Sequence, residues 1–410
     1  MTKYLYILLF IFSHTYVLGN PNYEKIDKES KNVPDSLTSS HQITDFLTSK
    51  WKGEDEKVRA LHIWITHNIH YDVSQINGVF NYGSYDEMVE ETVKTRKGIC
   101  GHYARLFHHM CESIGIESFI ISGYTREWDS KEISQLDHAW NAVKINNQYL
   151  FIDNTFAAGY LDHNDDYVHE FSDDYFLIPP KDLIKTHVPF DPLWQFLDNP
   201  INNMDFKNRD FSKLNISGDF DYRDSIATMT KLDSIIRIKK KVARIKRSGI
   251  TNRLIQEYIN EREEQIENLT YGRWVAIFNG ISNMTNDAKD EINLGISFNN
   301  IFFGYMNKGF RNPKIDDQQI KSTIEKVNLH FYQGKNQLKK SKDLLNGLEY
   351  SGKNVEHLKS SVNHKQELID FIAEMEYKLL EIELSIVKNT DYANRYLKKW
   401  KPLRPWVPYE

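Results

Sequence analysis

The chain has 410 residues, 40% hydrophobic and 27% charged, with a formal net charge of −5. That length exceeds what one hydrophobic core usually organises, so two or three domains are expected, and an aromatic content of 13% excludes a disordered chain. The negative charge, on a chain whose start reads as an export signal, argues against nucleic acid as a partner.

Residues 1–19 read as a signal peptide, with Lys3, an apolar run over 4–12 and a cleavage point near Gly19. The run is too short for a membrane span, and no later segment supplies the roughly 20 consecutive apolar residues that a transmembrane anchor needs. A secreted or periplasmic protein is the expectation. Residues 20–45, rich in Lys, Asp, Ser and Pro, read as a flexible lead-in to a first domain over 46–204.

Within that domain, residues 53–70 place Val58, Leu61, Trp64, Ile65 and Ile69 at helical steps. A second helix over 101–115 puts Ala104, Phe107, Cys111 and Ile114 on one stripe, with Gly115 as its stop. Strands are expected over 118–124, 139–145 and 148–155. Asn146 and Asn147 between the last two suit a two-residue type I′ turn, because asparagine tolerates positive φ. The region reads as α+β.

From about 205 the sequence turns to long, charged, helix-forming stretches, which marks a boundary. A helical region over 205–312 contains the basic run Arg237, Lys239, Lys240, Lys241, Arg244, Lys246 and Arg247. It is interleaved with Ile235, Ile238, Val242 and Ile245, the pattern of a packed helix with one charged face. Over 313–398 two heptad series, Ile320 to Leu348 and Leu368 to Ile386, predict a long antiparallel helical hairpin or coiled coil, able to self-associate or hold a protein partner. Residues 399–410 form a tail.

Cys100 and Cys111 are the two cysteines. Eleven residues along a helix span about 16 Å, whereas a disulfide needs Cα atoms within about 7 Å, so the two cannot pair with each other. Cys100, preceded by Gly98 and followed by Gly101, stands at a helix start, where unpaired N–H groups stabilise the anionic sulfur a nucleophile needs. If Asn146 and Asn147 form the turn, residues whose numbers sum to 293 lie opposite, so His138 and Asp153 are diagonal neighbours on one face. Asp153 would then orient the imidazole. The inference depends on that loop length, since a one-residue change reverses the parity.

These elements come in order: Trp64 with Tyr71 and Asp72, then Gly98 to Ala104, His138 to Asn141, and Asp153 to Phe156. In that order they resemble the transglutaminase-like superfamily, in particular its kyphoscoliosis-peptidase and cytokinesis-related branch. The closing stretch with Pro189, Trp194 and Gln195 fits the same branch. Phe156 stands where the family more often has tryptophan. The resemblance implies a papain-like core, the nucleophile helix packed on an antiparallel sheet, followed here by the α-helical carboxy-terminal part. It also implies a Cys100, His138, Asp153 triad acting on protein or peptide amide bonds through a thioester, with hydrolysis favoured over cross-linking. The competing expectations are a cross-linking transglutaminase and a relative that has kept the fold as a non-catalytic interaction module.

His102 and Trp140 are the candidates for substrate contacts, and Cys111 is expected in the core. No cofactor and no metal site is expected. Asp162, Asn164, Asp166 and Asp173 offer oxygen ligands, but Tyr167 occupies the place of the glycine that a calcium loop requires.

Overall fold

The structure is a computed structural model. It describes residues 23–396 except 77, 79–81, 129, 131, 165 and 309–315, so the expected signal peptide and tail lie outside the described residues. It divides into two units, 1–260 and 261–410.

In the first unit, α1 (Glu24–Ser30), α2 (Ser40–Thr48) and α3 (Glu54–Asn68) lead to β1 (His70–Tyr71), α4 (Tyr85–Thr95), β2 (Lys97–Gly98) and α5 (Cys100–Ser113). The strands β3 (Ser118–Thr125), β4 (Asp137–Ile145) and β5 (Gln148–Ile152) follow, then α6 (Asn154–Ala158), β6 (Gly159–Leu161) and β7 (Tyr167–His169). The short α7 (Pro180–Leu183) precedes β8 (His187–Pro189), and α8 (Asn203–Asn208), α9 (Tyr222–Thr230) and α10 (Ser234–Ser248) come next. The main sheet has four antiparallel strands in the order β5-β4-β3-β8.

Its register follows from the turn. Asn146 and Asn147 take φ of 48° and 64°, both left-handed as a type I′ turn requires, and Asn141 pairs with Ile152 and Ile145 with Gln148. Those pairs sum to 293. The third strand, however, stops at Ile152 and does not reach Thr155. Asp153 is the N-cap of α6, and an aspartate that captures the next free N–H groups diverts the chain into a helix.

One face of the sheet, with Val143, Ile145 and Ile152, packs on α1 to α5, where Trp64, Tyr103 and Phe107 are fully buried. Cys111 is buried and free, as expected. The lead-in is more ordered than its composition suggests, because α1 is anchored on α3. Arg59, buried, forms a bidentate pair with Asp27 through Nε–Oδ1 and Nη2–Oδ2 bonds of 2.7 Å each, and also bonds Asp173.

The opposite face, with Ile121, Trp140, Ala142 and Phe151, is covered by Leu193, Phe196, Tyr222, Ile226 and Met229. That packing moves the unit boundary from the expected 205 to about 260, because the helices after 205 supply one side of the sheet's core. In α10, Ile235, Ile238, Val242 and Ile245 are buried as the seam predicts, and Arg244 makes a bidentate pair with Asp191.

The helix α11 (Arg253–Asn307) runs into the second unit, which also holds α12 (Asp317–Gly347) and α13 (Val355–Tyr396). The expected hairpin of α12 and α13 is present, and α11 completes a three-helix core built on Trp274, Ile281, Phe331, Leu338, Ile372 and Leu379. Among the described residues no helix is long and apolar enough to cross a membrane.

Candidate active site

Cys100 opens α5 and is partly exposed. The turn before it is fixed by His102, which folds back so that Nδ1 accepts the Ile99 N–H at 3.2 Å. That leaves the proton on Nε2, 3.1 Å from the Tyr82 hydroxyl. Gly98 makes this fold-back feasible, since a Cβ there would lie 2.4 Å from His102 Cβ. Burial lowers the His102 imidazole to about 4, so it is neutral.

The strand β4 carries His138 near its start, and Asp153 follows the end of β5. His138 Nε2 lies 2.6 Å from Asp153 Oδ2. His187, on β8, brings its Nε2 to 3.2 Å from the same oxygen. The second oxygen, Oδ1, accepts the backbone N–H groups of Thr155 at 2.9 Å and Phe156 at 3.0 Å. Burial alone would raise this carboxyl, but the His138 charge, its hydrogen bond and the His187 bond outweigh it and hold Asp153 well below the usual carboxylate range. For His138 burial works downward, and the Asp153 charge and hydrogen bond, with a hydrogen bond to Cys100, carry the imidazole well above its ordinary value. His187 goes the other way, lowered chiefly by burial. As a neutral ring that donates to Asp153 through Nε2, it accepts the Thr186 hydroxyl at Nδ1, 2.8 Å away.

Aromatic rings fix the imidazoles. Trp140 stacks on His138 with centroids 5.9 Å apart, and Phe156 lies 4.5 Å from His138 and 5.1 Å from His187. The aromatic surface expected of Phe156 is thus in place. Asn141, buried, donates from Nδ2 to the Ala104 carbonyl at 2.9 Å, which ties β4 to α5 and so sets the histidine strand against the cysteine helix. Behind Asp153, the buried His62 bonds Asn154 at 2.8 Å; burial lowers His62 to about 3 and keeps it neutral. Tyr71, paired with Gly98, is half-buried, and its phenol is pushed up by burial and by the neighbouring Cys100, Asp137 and Asp153. It therefore remains a donor.

Two expected substrate contacts are placed differently. His102 and Trp140 are 2% and 1% exposed, so neither presents a surface to substrate. His102 shapes the turn before Cys100, and Trp140 supports His138. Two residues that the sequence reading did not assign to the site lie in it: His187, which reaches it from a strand distant in sequence, and Asn141, whose signal was its place in His-Ala-Trp-Asn.

His138, Asp153 and His187 also form the one grouping among the described residues with the spacing of a metal-ligand set. The 2.6 Å between the His138 nitrogen and the Asp153 oxygen is a hydrogen bond. Two tetrahedral ligands of a zinc ion would stand roughly 3.3 Å apart, so this arrangement does not fit a metal. In the 160s loop, Asp162 Oδ1 accepts the N–H groups of Asn164 and Asp166, which closes a turn.

A cysteine at a helix start and a buried His-Asp pair on an antiparallel sheet are the arrangement expected of a papain-like core. Residues 41–154 match the family model of the transglutaminase-like superfamily, and the chain carries a domain of that superfamily, on the branch of kyphoscoliosis peptidase and cytokinesis protein 3. Kyphoscoliosis peptidase of Mus musculus is 29% identical over 196 residues, which cover 47% of this chain and 29% of that protein. Hillarin of Drosophila melanogaster is 26% identical over 184 residues, 40% of this chain and 22% of its own length. Cytokinesis protein 3 of Schizosaccharomyces pombe is 26% identical over 189 residues, 44% and 20% of the two chains. The chain thus spans less than a third of the length of these curated relatives.

Proposed function

We propose that this chain is an exported thiol enzyme that acts on amide bonds of proteins or peptides, with Cys100 as nucleophile, His138 as acid and base, and Asp153 as orienter. The observation that carries this reading is the 2.6 Å bond between His138 and a fully buried, multiply bonded Asp153, beside a partly exposed Cys100. In this mechanism the sulfur attacks the amide carbonyl carbon while the imidazole holds the thiol proton. The C–N bond breaks as His138 passes that proton to the leaving amine, and a thioester remains. Water, deprotonated by His138, then attacks the thioester carbon and releases the acid and the thiol. The Cys100 backbone N–H and the Tyr71 hydroxyl are the donors we assign to the oxyanion.

Hydrolysis is preferred over cross-linking because a relative similar over 47% of this chain is named a peptidase. The test offers glutamine-containing peptides with and without a primary amine and follows products by mass spectrometry. Cleavage or deamidation that disappears in Cys100→Ser supports the reading. Amine incorporation that outpaces hydrolysis reverses the preference, and the absence of both turnover and acyl-enzyme contradicts it.

A further inference from the structure

The helix α13 has two apolar faces. Its inner seam, with Leu368, Ile372, Met375, Leu379 and Ile386, is buried in the three-helix core. A second row runs from Val355 to Val387 in steps of three and four residues and includes Leu358, Val362, Tyr377, Leu380 and Leu384, all 39–63% exposed. Ile369 and Ala373 continue the row, and Gln366 is its one polar position. At 100° per residue this row falls within an arc of about 100°, centred about 120° from the inner seam. Ile369 also packs against the bundle core, and the row's other apolar positions from Val355 to Val387 are exposed.

We propose that this outer face of α13 is the interface of a homodimer, formed by antiparallel packing on α13 of a second copy of the chain. The row is about 48 Å long and about 10 Å wide, so it offers roughly 500 Å² on each copy and about 1,000 Å² in a pair. That total reaches the lower bound expected of a biological interface, and an apolar patch of this size is often functional. The flanking charges select the antiparallel sense. With Val355 set opposite Val387, exposed Lys359 comes within a turn of Glu381 of the second copy, and Lys388 within a turn of Glu356. Nearer the two-fold axis Asp370 comes within a turn of its counterpart in the second copy, a repulsion eased by the Gln366 amide, which donates to it at 2.8 Å. Lys378 neutralises Glu374 at 2.6 Å.

The test is sedimentation equilibrium of the full chain, beside the double variant Leu380→Glu with Leu384→Glu. The wild type is expected at twice its monomer mass of 48.4 kDa. The double variant is expected to dissociate with a dissociation constant raised by about 100-fold or more, with unchanged helix content by circular dichroism. Because the variant leaves the inner seam intact, loss of the dimer without loss of helix separates the interface from the fold. Lys359→Glu is expected to weaken the dimer and Lys359→Glu with Glu381→Lys to restore it. A wild-type monomer at every concentration, a dimer indifferent to the row, or a monomer that binds anionic lipid vesicles through the row overturns the proposal.

Discussion

Asp153 Oδ2 meets His138 Nε2 at 2.6 Å while Oδ1 of the same carboxylate caps the helix that follows it. One side chain therefore orients the imidazole and turns the backbone from β5 into α6. The two tasks respond differently to substitution.

Asp153→Asn keeps the cap, because asparagine accepts N–H groups at an N-cap as well as aspartate does, but it removes the charge facing His138. Turnover is expected to fall by about 10³- to 10⁴-fold while the helix stays intact. Asp153→Ala loses both roles and is expected to melt lower than Asp153→Asn by the equivalent of about 1 kcal/mol. Parallel assays and thermal melts of the two variants check this. Equal melting points would show that the cap carries no stability.

The same pair has a pH signature. His138 lies above its ordinary value of 6.5 in the folded chain, so its contribution to stability is complete below about pH 6.5 and is lost as pH rises through the folded value. Asp153 lies below its ordinary value of 3.8, so its contribution is complete above about pH 3.8 and is lost as pH falls through the folded value. The melting-point difference between wild type and His138→Gln should therefore be largest at about pH 4.5 to 6 and shrink by about pH 9. A difference that stays constant from about pH 5 to 9 would contradict the charged-pair reading.

Gly123 pairs with His138 on one side and Pro189 on the other. A Cβ there would stand 2.1 Å from the Val188 carbonyl oxygen and 2.6 Å from the Trp140 ring. Gly123→Ala must push β8 away, and His187 moves with that strand. We expect a loss of about 2 kcal/mol in stability together with a fall in activity, measured by urea unfolding and by turnover of the same preparation. Unchanged values in both would mean that the sheet tolerates a wider spacing at this point.

Arg59 holds α1 in place through Asp27 and Asp173, whose side chains are 25% and 66% exposed while its own is 3% exposed. Arg59→Met leaves carboxylates that can reach water and should cost about 2 kcal/mol, whereas Asp27→Ala leaves a buried guanidinium half-satisfied and should cost about 3 kcal/mol. Urea titration of both variants measures the order. The reverse order would mean that water reaches Arg59 once Asp27 is removed.

Much of the site was legible before the fold. Two asparagines set the hairpin turn, the turn set parity, and parity put His138 and Asp153 on one face. Local periodicity likewise exposed the α5 stripe and the α10 seam. What stayed hidden depended on pairing across long separations. His187 follows Asp153 by 34 residues and reaches it only because β8 pairs with β3. The boundary at 205 was read from a real change of composition, but Tyr222, Ile226 and Met229 return to the sheet. The end of β5 was overrun because β-forming residues continue past Asp153, whose capping role is a competing local signal. The outer row of α13 is written in the sequence as a second three-and-four spacing, from Val355 to Val387, offset from the heptads of the inner seam.

The activation of Cys100 as a nucleophile is tested most directly by rate-resolved labelling with a thiol-reactive electrophile, read by peptide mass spectrometry. It predicts rapid labelling at Cys100, strongly slowed in His138→Ala and in Asp153→Asn, with buried Cys111 unlabelled while the chain is folded. Slow labelling of Cys100 at a rate indifferent to His138 would contradict it.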